Sequence, residues 1–335
     1  MMTSVIYIVP YFGKMRDDFC LWLKTCAYNP TIHWLLITDD HTIYQYPHNV
    51  KVIYMEFDEI VDKIAALVDF PISLKTPHKL CEYKPTYGEV FSEYIFQYDF
   101  WGYCDMDMLW GNIRHFLTEN IFKEYDKIGF LGHSTLYRNT PEVNKRWRCQ
   151  NCSEIDYKEA FSSEENFFFD ERAMNQIYEA NGWKIYKKQI FADLTEYHYN
   201  FYLTNVPDKE AIKNKRQIFF WEKGKLSRMY LLKKQVDIDE FMYIHFLKRK
   251  MQIDIDIKKD KWMIIPNKIT TKLEKPTYKM IKRHSKPRWG KYFIQLFFEK
   301  KEKITPANIV RFIIRRSRKY YALKYKNGNL NDNKM

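Results

Sequence analysis

The chain has 335 residues, of which 46% are hydrophobic and 18% aromatic, so it can bury a large core as one big domain or two smaller ones. Its 10 glycines form neither G-x-x-x-x-G-K-[ST] nor G-x-G-x-x-G, which excludes the two common glycine-rich phosphate loops. The net charge of +13 is uneven, because residues 256–335 carry 23 Lys and Arg against 6 Asp and Glu. A basic end of this kind predicts an anionic partner: a membrane surface, a nucleic acid or a polyanionic substrate.

The cysteines and the apolar runs indicate where the protein works. The six cysteines are too few and too scattered to predict a disulfide scaffold, and Cys149-x-x-Cys152 is a single pair without the second pair of a structural zinc site. The N-terminus does not show the basic and apolar regions of a signal peptide. No apolar run approaches the roughly 18 residues of a membrane span. We therefore expect a reducing cytoplasm.

The first part of the chain alternates predicted strands and helices. The strands are predicted at residues 4–9, 32–38, 50–57 and 100–104, and the helices at 15–28, 58–68 and 86–97. This alternation predicts an α/β fold with a mostly parallel sheet that has helices on its faces. Because ligands of such sheets lie beyond the carboxyl ends of the strands, the loops at 10–14, 39–40 and 105–107 are expected to converge on one crevice.

The pattern changes after residue 110. We predict a helix at 113–125, a strand at 127–131, an irregular loop at 138–165, a helix at 170–180, a hairpin at 217–232 that turns at Lys223-Gly224, and a strand at 241–247. Thr305-Pro306 predicts the start of a basic, amphipathic helix. The predicted organisation is a main domain at 1–265 and a basic amphipathic extension at 266–335.

The chain contains three D-x-D pairs: Asp105/Asp107, Asp237/Asp239 and Asp254/Asp256. Only the first both follows an apolar, aromatic run, Phe100–Cys104, and leads directly into another apolar stretch, Met108–Trp110. Carboxylates at i and i+2 at the end of a strand suit a hard divalent cation, Mn²⁺ or Mg²⁺. The alternative is a turn and a cap for the next helix.

His245 is the candidate third metal ligand. It lies in the apolar run 241–247, and that run is followed at once by Lys248 and Arg249. These two cations suit a diphosphate leaving group, whose negative charge grows in the transition state. The alternatives are a core histidine with an ordinary hydrogen bond and a solvated strand end.

Asp170 and Glu171 are the candidate catalytic carboxylates. Three aromatic residues, Phe167–Phe169, lead directly into them at a predicted helix start. A carboxylate there would act as the base for an acceptor hydroxyl or orient the sugar. The alternative is plain helix capping.

Lys84 and Tyr87 lie just before a predicted helix. Lys84 is a candidate phosphate contact, and Tyr87 is a candidate stacking surface for a base or a sugar. The alternative is a proline-started, solvent-facing helix cap.

Taken in order, these segments form a resemblance. The segments are Ile8-Val9-Pro10-Tyr11-Phe12-Gly13-Lys14, Tyr83-Lys84-Pro85-x-Tyr87-Gly88, Phe100-Trp101-Gly102-Tyr103-Cys104-Asp105-x-Asp107, Phe169-Asp170-Glu171 and Tyr243-Ile244-His245-Phe246-x-Lys248-Arg249. The ordered set resembles the GT-A glycosyltransferases, and in particular the bacterial glycosyltransferase-like proteins of capsule and surface-polysaccharide gene clusters. It covers about residues 1–265.

The resemblance implies a nucleotide-sugar donor, with UDP-sugars favoured, that contacts Pro10, Tyr11 and Asp39. It implies metal binding by Asp105, Asp107 and His245. The stretch from Asp170 to Asn175 is similar to the D-Q-x-x-x-N of retaining enzymes related to glycogenin, but Glu171 stands in place of Gln, so the stereochemistry stays open.

The function that we predict is a metal-dependent glycosyltransferase of surface-polysaccharide synthesis. Its acceptor would be a glycan or a lipid-linked oligosaccharide, and the basic extension would hold it on the anionic inner face of the cell membrane. One alternative is a sugar-phosphate nucleotidyltransferase, which normally shows a glycine-rich N-terminal loop. The other is a nucleic-acid-binding protein that uses the basic extension, although the near-neutral body gives no reason to expect nucleic acid.

Overall fold

The computed structural model describes residues 2–195, 199–204, 216–232, 235–247 and 249–286. All of them belong to one compact unit, Met1–Lys286. Lys248 and the predicted amphipathic helix after Thr305 lie outside the described residues.

The strands of the described chain are β1 (Val5–Pro10), β2 (Ile32–Thr38), β3 (Val50–Tyr54), β4 (Phe100–Cys104), β5 (Met108–Trp110), β6 (Lys127–Leu131), β7 (Ser134–Arg138), β8 (Ile185–Tyr186), β9 (Ala192–Asp193), β10 (Gln217–Glu222), β11 (Lys225–Leu232), β12 (Gln235–Glu240), β13 (Tyr243–His245), β14 (Gln252–Asp254), β15 (Lys261–Ile265) and β16 (Lys268–Thr270).

The helices are α1 (Phe19–Ala27), α2 (Phe57–Ala65), α3 (Leu80–Tyr83), α4 (Tyr87–Val90), α5 (Ser92–Ile95), α6 (Ile113–Phe116), α7 (Glu119–Glu124), α8 (Pro141–Lys145), α9 (Tyr157–Ser162), α10 (Met174–Ala180) and α11 (Tyr278–His284). Short 3₁₀ turns cover Pro77–Lys79, Lys84–Thr86 and Arg146–Arg148, and a π-helical turn covers Phe169–Ala173.

The largest sheet has seven strands in the order β3-β2-β1-β4-β7-β6-β8. Strands β3, β2, β1 and β4 are parallel, β7 is antiparallel to both β4 and β6, and β8 is parallel to β6. The prediction of an α/β fold is therefore confirmed, and the predicted strands at 4–9 and 32–38 are found as β1 and β2.

Both faces of this sheet are covered, which explains the unbroken apolar run of β1. Ile6 and Ile8 pack in one core with Trp101, whereas Tyr7 and Val9 pack in the core on the other face. Successive side chains of a strand point to opposite faces, so a strand that is buried on both sides has to be apolar throughout.

Two smaller sheets complete the unit. In one, β13 lies between β5, to which it is antiparallel, and β9, to which it is parallel. The other has the order β12-β11-β10-β15-β16-β14 and contains the predicted hairpin, which turns at Lys223 and Gly224 with φ of 46° and 80°. Two positive φ values are typical of the tight turn that joins twisted antiparallel strands. The extension was predicted to begin at residue 266. Its first described elements, β16 and α11, belong to the same compact unit as the rest of the described chain.

Several predicted helices are shorter or broken. The helix predicted at 86–97 is divided into α4 and α5 at Phe91, whose φ of −111° and ψ of 21° are not helical. The helix predicted at 113–125 is divided into α6 and α7, because Leu117 (φ −102°, ψ 88°) is not helical and Thr118 is extended. The loop predicted at 138–165 is not irregular throughout: Thr140 caps α8 by accepting a hydrogen bond from the Val143 N–H, and α9 follows. Cys149 and Cys152 within it are joined by a disulfide.

Candidate active site

Three neighbouring parallel strands end at one edge of the large sheet. The residues that follow them are Tyr11 after β1, Asp39 after β2 and Asp105 after β4. The Tyr11 N–H donates to the carbonyl of Ile37 at 2.8 Å, and the Gly13 N–H donates to Asp39 Oδ1 at 2.6 Å. The structure therefore joins the loop after Pro10 to Asp39 at this edge, as the sequence predicts.

Asp105, Asp107 and His245 meet at the same edge. His245 Nε2 lies 3.2 Å from Asp107 Oδ1 and 3.9 Å from Asp105 Oδ2. Strand pairing explains the approach, because β13 pairs with β5 directly after Asp107, and the Phe246 N–H donates to the Asp107 carbonyl at 2.9 Å. The three residues that the sequence assigned to a metal site are thus brought together.

The electrostatics of His245 follow from its carboxylate neighbours. Its side chain is buried, and burial alone would lower its pKa. Hydrogen bonds from the imidazole to Asp107 and Asp193 outweigh burial and raise the pKa of His245 to about 10. The site therefore favours positive charge at this position.

Lys84 links this group to the candidate catalytic carboxylates. Its Nζ lies 2.8 Å from Asp105 Oδ1 and 3.7 Å from Asp170 Oδ2, and it donates to the Gly132 carbonyl at 2.8 Å. Burial opposes its charge, but the carboxylates of Asp105 and Asp170 raise the pKa of Lys84. Lys84 therefore stays charged and occupies one oxygen of Asp105, while the other oxygen, Oδ2, faces His245.

Asp170 and Glu171 lie in the π-helical turn. Their carboxylates pack directly against the backbone of Gly132, which has no side chain to keep them away. The Gly132 N–H donates to Glu171 Oε1 at 2.6 Å. A Cβ at Gly132 would lie 2.2 Å from Asp170 Oδ2, so a side chain here would displace the carboxylate. Burial raises the pKa of both Asp170 and Glu171.

The backbone that leads into this turn is held by the buried carboxylate of Glu82. Glu82 accepts hydrogen bonds from the backbone N–H groups of Phe167, Phe168 and Phe169 at 2.8, 2.9 and 2.9 Å. Phe168 has a left-handed backbone (φ 59°) and an exposed side chain, an unfavourable conformation for an aromatic residue. The three hydrogen bonds to Glu82 compensate for that conformation and fix the backbone directly before Asp170.

Other predicted contacts are placed elsewhere. The Tyr87 ring is buried in the core against Phe91 and Tyr103, a position that contradicts the prediction of an open stacking surface. The Arg249 guanidinium is also buried, and its hydrogen bonds include the carbonyls of Thr195 at 2.8 Å and Tyr199 at 3.0 Å. Arg249 thus anchors the chain after β13, and its contact with a diphosphate stays a prediction.

Two residues of this region were not found from the sequence. Asp193 Oδ1 lies 2.8 Å from His245 Nδ1, and the His133 ring lies 4.5 Å from the His245 ring, centroid to centroid. His133 is buried, and burial first and the charge of His245 second lower its pKa to about 3, so it is neutral. The signal that could have identified Asp193 is its position in the apolar segment Phe191–Leu194, a carboxylate at the end of a short strand.

The donor atoms suit a hard divalent cation. One ligand atom each of Asp105, Asp107 and His245 lies within 4.8 Å of the others. Neighbouring ligands of an octahedral ion with bonds of about 2.1 Å are roughly 3 Å apart, so the observed distances require little adjustment. Two carboxylates and one imidazole fit Mn²⁺ or Mg²⁺ better than a soft metal. His133, Asp193 and His245 form a second group with the same spread.

Comparisons with known proteins give a family and no activity. Residues 7–273 match a family described as a family of unknown function, DUF6625. No curated protein matches the chain. Among the described residues, helices that are both long and apolar enough to span a membrane are not found.

Proposed function

The chain belongs to the DUF6625 family, since the family match covers most of its length, and we propose that it is a metal-dependent glycosyltransferase with a GT-A arrangement. It would move a sugar from a nucleotide sugar, with UDP-sugars favoured, to a glycan or a lipid-linked oligosaccharide. The pathway that we propose is surface-polysaccharide synthesis, carried out at the inner face of the cell membrane.

The observation that carries the proposal is the meeting of Asp105, Asp107 and His245 at the carboxyl edge of parallel strands. Asp107 and His245 lie 138 positions apart in the sequence, yet His245 Nε2 and Asp107 Oδ1 are 3.2 Å apart. Ligands of open α/β sheets bind at this edge, and carboxylates there suit a cation that in turn binds a diphosphate. The parallel strands β3, β2, β1 and β4 agree with a GT-A arrangement, and other doubly wound α/β folds share the same order.

We assign separate roles to the metal-binding side chains and to Lys84. Asp107, Asp105 Oδ2 and His245 Nε2 would hold Mn²⁺ or Mg²⁺, which supplies positive charge to the diphosphate as it leaves. Lys84 binds Asp105 Oδ1 and keeps that carboxylate in place, and it adds a buried positive charge between the metal ligands and Asp170.

Asp170 and Glu171 are assigned to the sugar. The acceptor hydroxyl attacks the anomeric carbon, the bond from that carbon to the diphosphate breaks, and the hydroxyl proton has to go to a base. A carboxylate that is buried, and whose pKa is therefore raised, is a better base near neutral pH than a solvated one. Asp170 Oδ2 lies 3.7 Å from Lys84 Nζ, and this proximity to the group around Asp105 supports the assignment.

Association with the membrane is proposed from charge alone. The basic residues of 287–335 lie outside the described residues, and the excess of Lys and Arg there would attract an anionic lipid surface at about 1 kcal/mol per engaged residue. Flotation with anionic liposomes tests this proposal: a chain without residues 300–335 should no longer float with them and should keep donor hydrolysis. Unchanged flotation would contradict it.

The central experiment is donor hydrolysis. We would incubate the full chain with a panel of UDP- and GDP-sugars and measure the release of nucleotide with Mn²⁺, with Mg²⁺ and with EDTA. We expect release from at least one UDP-sugar, dependent on the ion. If no nucleotide sugar is bound or hydrolysed under any of these conditions, the proposal is wrong.

A further inference from the structure

Two different carboxylates bind the two ring nitrogens of His245. Nδ1 lies 2.8 Å from Asp193 Oδ1, and Nε2 lies 3.2 Å from Asp107 Oδ1. The Asp193 side chain is 10% exposed and the His245 side chain 5%. Asp193 therefore lies on the side of the imidazole away from Asp105 and Asp107.

The backbone fixes this arrangement. Strand β9 pairs with β13 so that Asp193 stands opposite His245, and the Leu194 N–H donates to the His245 carbonyl at 3.0 Å. On its far side Asp193 is held by Thr204, whose hydroxyl donates to Oδ2 and whose N–H donates to the Asp193 carbonyl at 2.7 Å. The carboxylate thus has a defined position before any ligand arrives.

The His245 ring is also confined on its face. The His133 ring lies 4.5 Å away at an interplanar angle of 31°, and the hydroxyl of Tyr243 binds His133 Nδ1 at 2.9 Å. The Phe191 ring stacks on Tyr243 at 5.2 Å. His245 consequently has little room to rotate, so a hydrogen bond at Nδ1 determines where Nε2 points.

We propose that Asp193 is a positioning residue: it keeps the Nδ1 proton of His245 in place when a cation bound by Asp105 and Asp107 displaces the Nε2 proton to water and takes the Nε2 lone pair. The inference rests on the proposed function, because it assumes that this cation exists. A neutral imidazole carries one proton and has one free lone pair, so a carboxylate that accepts from Nδ1–H decides which nitrogen is the ligand. Carboxylate partners of metal-binding histidines commonly matter 10–100-fold in affinity.

The experiment measures Mn²⁺ binding without turnover. Mn²⁺ alone would be titrated into the full chain, and free Mn²⁺ would be followed by its EPR signal. We expect Asp193→Asn and Asp193→Ala to weaken binding about 10–100-fold. Pulsed EPR of the bound ion should show coupling to an imidazole nitrogen in the wild type and should lose it in both variants.

A milder variant protects the test against misfolding. Thr204→Val removes the hydroxyl that holds Asp193 and keeps the size of the side chain, so a smaller loss of affinity in the same direction is expected from a folded protein. Circular dichroism and thermal unfolding would establish which variants are folded. Folded variants that keep both the wild-type affinity and the nitrogen coupling would overturn the inference.

Two further outcomes separate this inference from the proposed function. If the wild type does not bind Mn²⁺, the proposed function fails and the inference fails with it. If Asp193→Ala abolishes binding and Asp107→Ala leaves it unchanged, the ion lies among His133, Asp193 and His245, and Asp193 is a direct ligand instead of a positioning residue.

Discussion

Asp105 and Asp107 follow β4 at the edge of the seven-stranded sheet, whereas Asp237 and Asp239 lie within β12 and Asp254 ends β14 in the six-stranded sheet. The spacing is the same in the two regions, but the neighbours differ. In the six-stranded sheet, Asp239 is paired with a guanidinium, and Asp254 lies 2.7 Å from the ammonium of Lys268.

Such pairing neutralises a carboxylate within the sheet itself. The guanidinium next to Asp239 belongs to Arg228 on the neighbouring strand. At the edge of the seven-stranded sheet, Lys84 takes one oxygen of Asp105, while the other oxygen and Asp107 face an imidazole that is itself a potential ligand. The comparison shows that the D-x-D spacing alone does not predict a metal site. The side chain that another segment brings opposite the pair decides: an arginine neutralises it, whereas a histidine can complete a set of metal ligands.

The largest expected effect comes from removing a carboxylate at the edge of the seven-stranded sheet. Asp107→Ala removes a candidate metal ligand, and we expect kcat/KM for ion-dependent UDP-sugar hydrolysis to fall about 100-fold or more, as when a group that stabilises transition-state charge is lost. Released nucleotide would be measured at saturating Mn²⁺.

Asp237→Ala is the matched control, because it makes the same chemical change in a D-x-D pair of the other region. We expect wild-type activity from it. Similar activity of the two variants would show that the Asp105–Asp107 pair is an ordinary turn.

The next contrast is in stability and compares two buried cations, Lys84 and Arg228, one from each region. Lys84→Met would remove the charged donor that binds Asp105 Oδ1 at 2.8 Å and would leave the buried Asp170 to take up a proton, so we expect a loss of about 2 kcal/mol in the free energy of unfolding. Arg228→Met leaves Asp239, which is 35% exposed and can be hydrated, so a loss of about 1 kcal/mol is expected. Urea unfolding measures both, and a larger loss for Arg228→Met would contradict the ranking.

The last contrast is in pH dependence and concerns Lys127, whose side chain is buried and donates to Asn175 Oδ1 at 2.6 Å and to the Gly129 carbonyl at 3.1 Å. Burial, and then repulsion from Lys187, lower the pKa of Lys127 to about 7. Between about pH 7 and the ordinary lysine value of 10.5, the unfolded chain holds a proton that the folded chain has lost. Folding is therefore expected to become more favourable as the pH rises through this range.

Lys127→Met isolates this contribution. From pH 7.5 to pH 9 the wild type should gain about 2 kcal/mol relative to Lys127→Met, since one proton accounts for about 1.4 kcal/mol per pH unit. Urea unfolding at the two pH values gives the difference, and all other titrating groups cancel between the two proteins. A difference that does not change with pH would mean that Lys127 is charged in the folded state.

Much of the fold could be predicted, because the signals are local. β1 is an unbroken apolar run, β2 is apolar except for His33 and Thr38, and Lys223-Gly224 is a local turn signal, so the predicted bounds of these elements nearly match the observed ones. The predicted helices are divided at Phe91 and Leu117, which are buried apolar residues that fit the helical period, so periodicity gives no sign of their non-helical backbone. β9 has two residues and gives almost no pattern of its own.

The site divides in the same way. Asp105, Asp107 and His245 are polar residues at the ends of apolar runs, and that is visible in the sequence. The burial of Tyr87 and the contact of Asp193 with His245 are set by tertiary packing and could not be read locally. The resemblance to GT-A glycosyltransferases stays a prediction.

The place of β13 between β5 and β9 has a consequence for assembly. The Asp105–Asp107 pair and His245 come from segments that are far apart in the chain, so a cation that needs all three side chains could bind only after β13 has docked. Such an ion binds the folded chain and not the unfolded one, and at 100 times its dissociation constant it would stabilise the fold by about 2.7 kcal/mol. The supply of divalent cation in the cell would then help to set how much of this protein survives proteolysis.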